Sequence, residues 1–157
     1  MQESNLRTLP TCPTSVTLVS GGSYQQRESA IAAAVKKMQV LAGIHSANSV
    51  AVILEGLPSG ELALQVINDR LSDPATAPQT KLKPTLQIQR IAPGCMCCIG
   101  NLAMRVTLNR LLRQKPNYLF LALGNPEHLT QLRDFLSQAP YVDLLRFDAD
   151  IILSSGW

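Results

Sequence analysis

The sequence has few aromatic residues, no long apolar run and one long interval without acidic side chains. Only 4% of its 157 residues are aromatic, while 46% are hydrophobic, so the core must be mainly aliphatic. No apolar stretch approaches the roughly eighteen residues of a membrane-spanning helix. The first residues show no basic region followed by an apolar one, as a secretory signal would. These absences predict a cytoplasmic protein without a membrane span, with a flexible segment at 1–13.

Acidic residues are missing from the middle of the chain. No Asp or Glu occurs between Asp73 and Glu127, an interval that carries seven basic residues: Lys81, Lys83, Arg90, Arg105, Arg110, Arg113 and Lys115. One interpretation is a solvated helix face with extended Lys and Arg stems. The other is a positive field that favours thiolate over thiol at cysteines within it. A net charge of only +3 and the scarcity of aromatics give little support to nucleic-acid binding.

Apolar runs and helical periodicities alternate along the chain. The sequence predicts strands at 15–19, 49–54, 85–91, 117–123 and 148–153, and helices at 28–43, 60–71, 99–114 and 126–138. Such alternation predicts an α/β fold of three layers, a mostly parallel sheet with helices on both faces, in a single domain over 1–157. Ligands of such sheets bind beyond the carboxyl ends of the strands.

Three of the four cysteines lie together, between a predicted strand and a predicted helix. Cys95, Cys97 and Cys98 fall within four positions. In a reducing compartment, clustered cysteines are more often metal-binding or catalytic than disulfide-bonded. Three thiolates suit zinc or another thiophilic ion, and an open fourth position suits a carrier that must release its ion. Two alternatives are small buried hydrophobes and a redox module with a labile disulfide.

A closed metal site would need a fourth ligand. The candidates are Cys12, His45, His128, Glu55 or a residue of a second chain. Glu55 ends a predicted strand at the ligand-binding edge, so it is a candidate ligand or a partner that orients one. The two histidines and Cys12 have no supporting motif. A homodimer that shares a metal between two cysteine loops is a further hypothesis.

The segment Gly94-Cys95-Met96-Cys97-Cys98 resembles the GCxCC signature of the CobW-type P-loop GTPases, relatives of the UreG and HypB metallochaperones. The segments VAVILEG at 50–56 and NYLFLALGNPEHL at 117–129 are similar to other strand ends of that family. The resemblance implies a P-loop NTPase-like fold, a metal bound by the cysteine loop, and GTP hydrolysis that gates its transfer. It also implies that the separate C-terminal domain of the family is absent from this chain.

The nucleotide motifs of the family are degenerate in this sequence. A phosphate loop reads G-x-x-x-x-G-K-[ST], in which glycines and a Lys hold phosphate and a hydroxyl holds Mg²⁺. The corresponding stretch of this chain begins with Gly21 and Gly22 and ends at Ser29. Gln26 occupies the position of the motif's second Gly, and Arg27 occupies the position of its Lys. Glu28 occupies the position of the Mg²⁺-binding hydroxyl. Leu121 stands at or near the family's acidic position, and no Asn-Lys pair occurs.

The prediction is therefore a CobW-like pseudo-GTPase that binds zinc through the GCMCC loop, with no catalytic residue and without GTP or Mg²⁺. Weak anion binding at the helix N-terminus near Glu28 is a second expectation, involving Gly21, Gly22, Arg27 and Ser29. The alternatives are a non-catalytic scaffold or interaction subunit, a weak nucleotide-binding protein and a thiol redox module. The predicted partners are a metal ion and a second copy or another protein, without membrane or nucleic acid.

Overall fold

Strands and helices alternate over one sheet. The computed structural model describes residues 12–41, 48–75, 84–93 and 102–154. The strands are β1 (Thr14–Gly21), β2 (Ser49–Glu55), β3 (Thr85–Ile91), β4 (Tyr118–Leu123), β5 (Leu145–Phe147) and β6 (Ile151–Leu153). The helices are α1 (Tyr24–Leu41), α2 (Ala63–Ser72), α3 (Leu102–Leu112) and α4 (Leu129–Leu136), with a 3₁₀ turn at Pro126–His128 leading into α4.

The sheet is parallel throughout its described pairings. Its order is β3-β2-β4-β1, and the far side of β1 pairs with β5 along Thr14–Val16 and with β6 along Val19–Gly21. The carboxyl ends of β1, β2, β3 and β4 therefore lie on one edge of the sheet. Glu55 at the end of β2 pairs with Ile91 at the end of β3.

The core has two halves, one on each face of the sheet. Successive strand residues point to opposite faces, so Leu18 and Val19 belong to different halves. Leu18 packs with Met104 of α3 and Leu132 of α4, whereas Val19 packs with residues of α1 and α2. This arrangement confirms the predicted α/β fold with a parallel sheet between helical layers. It is consistent with a small P-loop NTPase-like domain.

Several element bounds differ from the sequence prediction. Helix α1 begins at Tyr24 rather than at 28, since Ser23 and Gln26 cap it there. Strand β5 was not predicted, because its three residues are too few to show a period. The predicted helix 126–138 is a 3₁₀ turn followed by α4, and the last strand begins at Ile151 rather than at 148. The stop of α1 near Gly43 and the start of a helix at 99 lie outside the described residues.

No helix in the described parts of the chain is long and apolar enough to cross a bilayer.

Candidate functional site at the carboxyl edge of the sheet

The connection from β1 to α1 is very short. Only Gly22 and Ser23 separate the end of the strand from the first residue of the helix. Gly21 and Gly22 have φ angles of 80° and 61°, a conformation that favours glycine. A Cβ atom on Gly21 would lie 2.3 Å from the carbonyl oxygen of Leu153. Gly21 therefore permits the close pairing of β1 with β6.

The N-terminus of α1 is capped by its own residues. The Oγ atom of Ser23 accepts a hydrogen bond from the backbone N–H of Gln26, with an N–O distance of 3.1 Å. The Oε1 atom of Gln26 accepts one from the N–H of Ser23 at 2.7 Å. This reciprocal pair is a capping box, which satisfies two donors that a helix start otherwise leaves open. Those two N–H groups are thus engaged within the chain.

The side chain of Arg27 lies beneath this turn, only 5% exposed. Its Nη1 atom donates to the carbonyl oxygens of Gly21 at 3.2 Å and Gly22 at 2.7 Å. Its Nη2 atom donates to the carbonyl oxygen of Glu55 at 3.1 Å. Burial lowers the pKa of the Arg27 guanidinium below its ordinary value, and the charge of Glu55 opposes that shift. The guanidinium therefore joins the ends of β1 and β2.

Glu28 is buried next to Arg27 and is 1% exposed. Its Oε1 atom accepts from the backbone N–H of Leu64 at 3.1 Å, in the first turn of α2, and from Nη2 of Arg90 at 3.4 Å. Arg90 also donates from Nε to the hydroxyl of Tyr24 at 2.9 Å. Burial raises the pKa of Tyr24 above its ordinary value of 10.0, although the Arg90 hydrogen bond acts to lower it. This network joins α1, α2 and β3.

Glu55 lies where β2 meets the same edge. Its side chain is buried, and its Oε2 atom accepts from the backbone N–H of Gly124 at 2.9 Å, just after β4. A Cβ atom on Gly124 would contact both Arg27 and Glu55, at 3.8 and 3.9 Å. The guanidinium of Arg27 and the carboxylate of Glu55 thus lie close together among the ends of β1, β2 and β4.

Three buried polar atoms have no hydrogen-bond partner within the described ranges: Ser20 Oγ, Arg27 Nε and Glu28 Oε2. All three belong to the β1–α1 junction or its first helical turn. Such atoms cost free energy when they are buried without a partner. Hydrogen bonds within the described residues therefore satisfy most, but not all, of the buried polar atoms at this junction.

Two sequence patterns indicate the capping of α1 and the burial of Arg27 and Glu28, and neither was part of the sequence prediction. The spacing Ser23-x-x-Gln26 matches the capping-box pattern and marks the true start of α1. Arg27 and Glu28 lie four and three positions before Ile31, whose helical stripe faces the sheet. That stripe would have placed both charges on the buried side of α1. The contributions of Arg90 and Gly124 depend on tertiary packing and carry no local signal.

The other predicted site residues are scattered. Ser29 is exposed on α1, and Leu121 is buried in β4. The thiol of Cys12 is free and exposed before β1, and His128 ends the 3₁₀ turn. Cys95, Cys97, Cys98 and His45 lie outside the described residues. Among the described residues, no three His, Cys, Asp or Glu side chains are grouped so that they could hold a metal ion.

The known proteins give a partial similarity. The chain is 41% identical over 61 residues to the zinc chaperone YeiR of Escherichia coli (strain K12). The match covers 36% of this chain and 19% of that protein, so the chain aligns with about a fifth of its relative's length. No family model matches, and no solved structure gives a significant match. The similarity supports a resemblance to CobW-like metallochaperones.

Proposed function

We propose that the chain is a CobW-like domain that binds zinc, or another thiophilic ion, through Cys95, Cys97 and Cys98, and that it has no GTPase activity. The partial identity with a zinc chaperone supports the metal-related part of this proposal. Thiolates are the ligands that zinc prefers, and three of them leave one position open for exchange. The ion is the cargo of the protein in this proposal.

The position of the cysteines in the chain carries the proposal. They follow β3, whose last residue, Ile91, pairs with Glu55 and accepts a hydrogen bond from the N–H of Gly56 at 3.0 Å. Cys95 lies two positions after Pro93, with only Gly94 between them, and two residue steps span at most about 7 Å. Cys95 therefore follows, in the sequence, the edge of the sheet where α/β proteins bind ligands.

Glu55 is the proposed protein partner of the thiols. Its Oε2 atom is oriented by the backbone N–H of Gly124, and its carbonyl oxygen by Arg27. A carboxylate held in this way suits either direct ligation or the orientation of a ligand by hydrogen bonding. In both roles the loss of its charge weakens metal binding without removing it, because the thiolates remain.

The loss of GTP chemistry is supported by the β1–α1 junction. A phosphate loop binds its anion with backbone N–H groups and a Lys. In this chain two such N–H groups belong to the capping box, and Arg27 binds the carbonyl oxygens of Gly21 and Gly22. Glu28 places a buried carboxylate in the same turn. A nucleotide would have to displace these contacts before it could bind.

Metal analysis of the purified protein tests the proposal. Under reducing conditions without chelator, we expect about one thiophilic ion per chain, or per dimer if a second chain completes the site. The triple variant Cys95→Ser/Cys97→Ser/Cys98→Ser should contain none, whereas Cys12→Ser, the matched control, should retain it. Glu55→Gln should bind zinc more weakly than the native protein, by about tenfold or more.

Two results would contradict the metal site. One is native protein that takes up no zinc when zinc is offered, which would favour the scaffold alternative. The other is an ion that stays in the triple variant.

Light scattering before and after chelation distinguishes a metal site shared by two chains from a site within one chain, since only loss of a shared metal changes the mass of the particle. Calorimetric titration with GTP and Mg²⁺ should show no binding at millimolar nucleotide, and measurable binding would refute the loss of the nucleotide site.

A further inference from the structure

The outer face of α3 has an unusual composition for a helix that covers a sheet. Its buried face is formed by Met104, Leu108 and Leu111. The helical positions opposite these belong to Leu102, Val106 and, beyond the last turn, Arg113. Leu102 is 72% exposed and Val106 is 56% exposed, one helical turn apart. The most solvent-facing stripe of α3 is therefore apolar at its N-terminal end.

The charges around this stripe have one sign. Arg105, Arg110 and Arg113 are exposed along α3 and the turn after it, and the helix contains no acidic residue. The ion pairs within the described ranges involve Arg90 and Arg133 and not these three. Arg110 donates from Nη2 to Oε1 of Gln89 at 2.9 Å, and the exposed Asn109 accepts from the hydroxyl of Tyr141 at 3.0 Å. The face thus combines two large apolar side chains with a purely positive surround.

Helices α2 and α4 differ from α3 in the composition of their exposed faces. On α2, the exposed Val66 lies near both Asp69 and Arg70, so charges of both signs surround it. On α4, the exposed residues include Thr130, Gln131 and Asp134, which are polar. A mixed or polar surface is ordinary for a solvated helix, whereas apolar groups surrounded by one sign of charge complement a partner of the opposite sign.

We infer that the outer face of α3, defined by Leu102, Arg105, Val106, Arg110 and Arg113, docks an acidic protein segment that carries apolar side chains. Leu102 and Val106 would enter the apolar part of that segment, and the arginines would pair with its carboxylates. A second copy of this chain is a poorer occupant, because two such faces would bring six arginines together. The inference does not depend on a bound metal.

The place of the docking face in the chain relates it to the proposed metal site. Helix α3 begins at Leu102, four positions after Cys98 in the sequence. If the cysteines carry a metal as proposed above, the face would hold an acidic partner at the point of transfer. If they carry none, the face still describes an interaction subunit.

Titration of the ¹⁵N-labelled full-length protein with three synthetic helical peptides tests the inference. The first peptide has leucines at positions i and i+4 flanked by glutamates. The second has lysines in place of the glutamates, and the third has serines in place of the leucines. We expect amide shifts at 102–113 with the first peptide, and affinity about tenfold or more lower for the other two. Binding of the first should weaken as salt is raised.

Variants locate the site. Leu102→Ser/Val106→Ser and Arg105→Glu/Arg113→Glu should each lower affinity for the first peptide by about tenfold or more, since each removes one half of the complementarity. Val66→Ser and Lys36→Glu, on the opposite layer, are the matched controls and should bind as the native protein does. Shifts that map elsewhere, or an affinity that the α3 variants leave unchanged, would overturn the inference. Self-association that Leu102→Ser/Val106→Ser abolishes would also overturn it, in favour of a second copy.

The same titration on the Cys95→Ser/Cys97→Ser/Cys98→Ser protein separates the two proposals. Peptide binding should persist there even though metal binding is lost. Loss of peptide binding with the thiols would show that the face is not an independent docking surface.

Discussion

The connections that follow β1 and β3 start at the same edge of one sheet and differ in the residues that they carry. At β1–α1, the capping box, Arg27 and Glu28 bond to the chain itself and join β1, β2 and α2. At β3–α3, the sequence places three thiols, followed by a helix with an exposed apolar and basic face. The comparison teaches that a position where a fold commonly binds ligands can become part of its framework, while in the proposed function a neighbouring position carries the chemistry.

Removal of the Arg27 guanidinium should have the largest effect on the closed junction. Arg27→Ala leaves the carbonyl oxygens of Gly21, Gly22 and Glu55 without their donor in a buried setting. We expect the free energy of unfolding to fall by about 3 kcal/mol or more, measured by urea denaturation. Arg27→Lys keeps the charge but not the forked geometry, and should lose about half as much.

Unchanged stability in Arg27→Ala would show that these contacts do not hold the strand ends together. The junction would then be available for a ligand, and the contrast with the cysteine side would fail. Lys36→Ala, an exposed position on the same helix, serves as the control for helix effects and should change stability by less than about 0.5 kcal/mol.

Glycine substitutions test the packing of the same turn. Gly21→Ala places a Cβ atom 2.3 Å from the carbonyl oxygen of Leu153 at a φ of 80°, so either β6 or the turn must move. We expect a loss of about 2–3 kcal/mol by thermal or urea unfolding. Gly124→Ala is the matched variant, because its nearest contacts would be 3.8 and 3.9 Å away. It should lose less than about 1 kcal/mol, and equal losses at the two sites would contradict the account.

The smallest expected effect concerns Tyr24. Tyr24→Phe removes the acceptor of the Arg90 Nε hydrogen bond and should cost about 1 kcal/mol near pH 9. The pKa of Tyr24 is raised in the folded protein, so above pH 10 the unfolded chain loses the phenol proton while the folded chain keeps it. The unfolding free energy of the native protein then falls with rising pH by a contribution that the variant lacks.

The difference in unfolding free energy between native protein and Tyr24→Phe should therefore shrink from pH 9 to pH 11. Denaturation at both pH values, with the two proteins measured side by side, checks this. A difference that grows with pH would mean that the folded state favours the ionised phenol, and that Arg90 outweighs burial at this position.

The layers of the fold were predictable from local sequence patterns, whereas the candidate site at the carboxyl edge of the sheet was predictable only in part. Strands such as β2 and β4 are continuous apolar runs that must be covered on both faces, so their parallel pairing was predictable. The three residues of β5 show no period, and their place depends on pairing with Thr14–Val16. The apolar spacing from Ile31 onward predicts a helix from 28, whereas the capping box of Ser23 and Gln26 starts α1 one turn earlier.

The arrangement of the candidate site residues was also only partly predictable from the sequence. The spacing of Arg27 and Glu28 from Ile31 predicts their burial, but not the partners that make burial tolerable. Those partners, Gly22, Glu55 and Leu64, come from three other elements and meet only in the folded chain. The grouping of three cysteines, by contrast, is visible in the sequence because all three proposed ligands belong to one segment.

Zinc K-edge X-ray absorption of the protein loaded with one equivalent of zinc tests the central claim most directly. The account predicts three sulfur neighbours at about 2.3 Å, with the remaining coordination from lighter atoms, and no sulfur neighbours in Cys95→Ser/Cys97→Ser/Cys98→Ser. A native spectrum with only nitrogen and oxygen neighbours would contradict the assignment of the cysteine segment as the metal site.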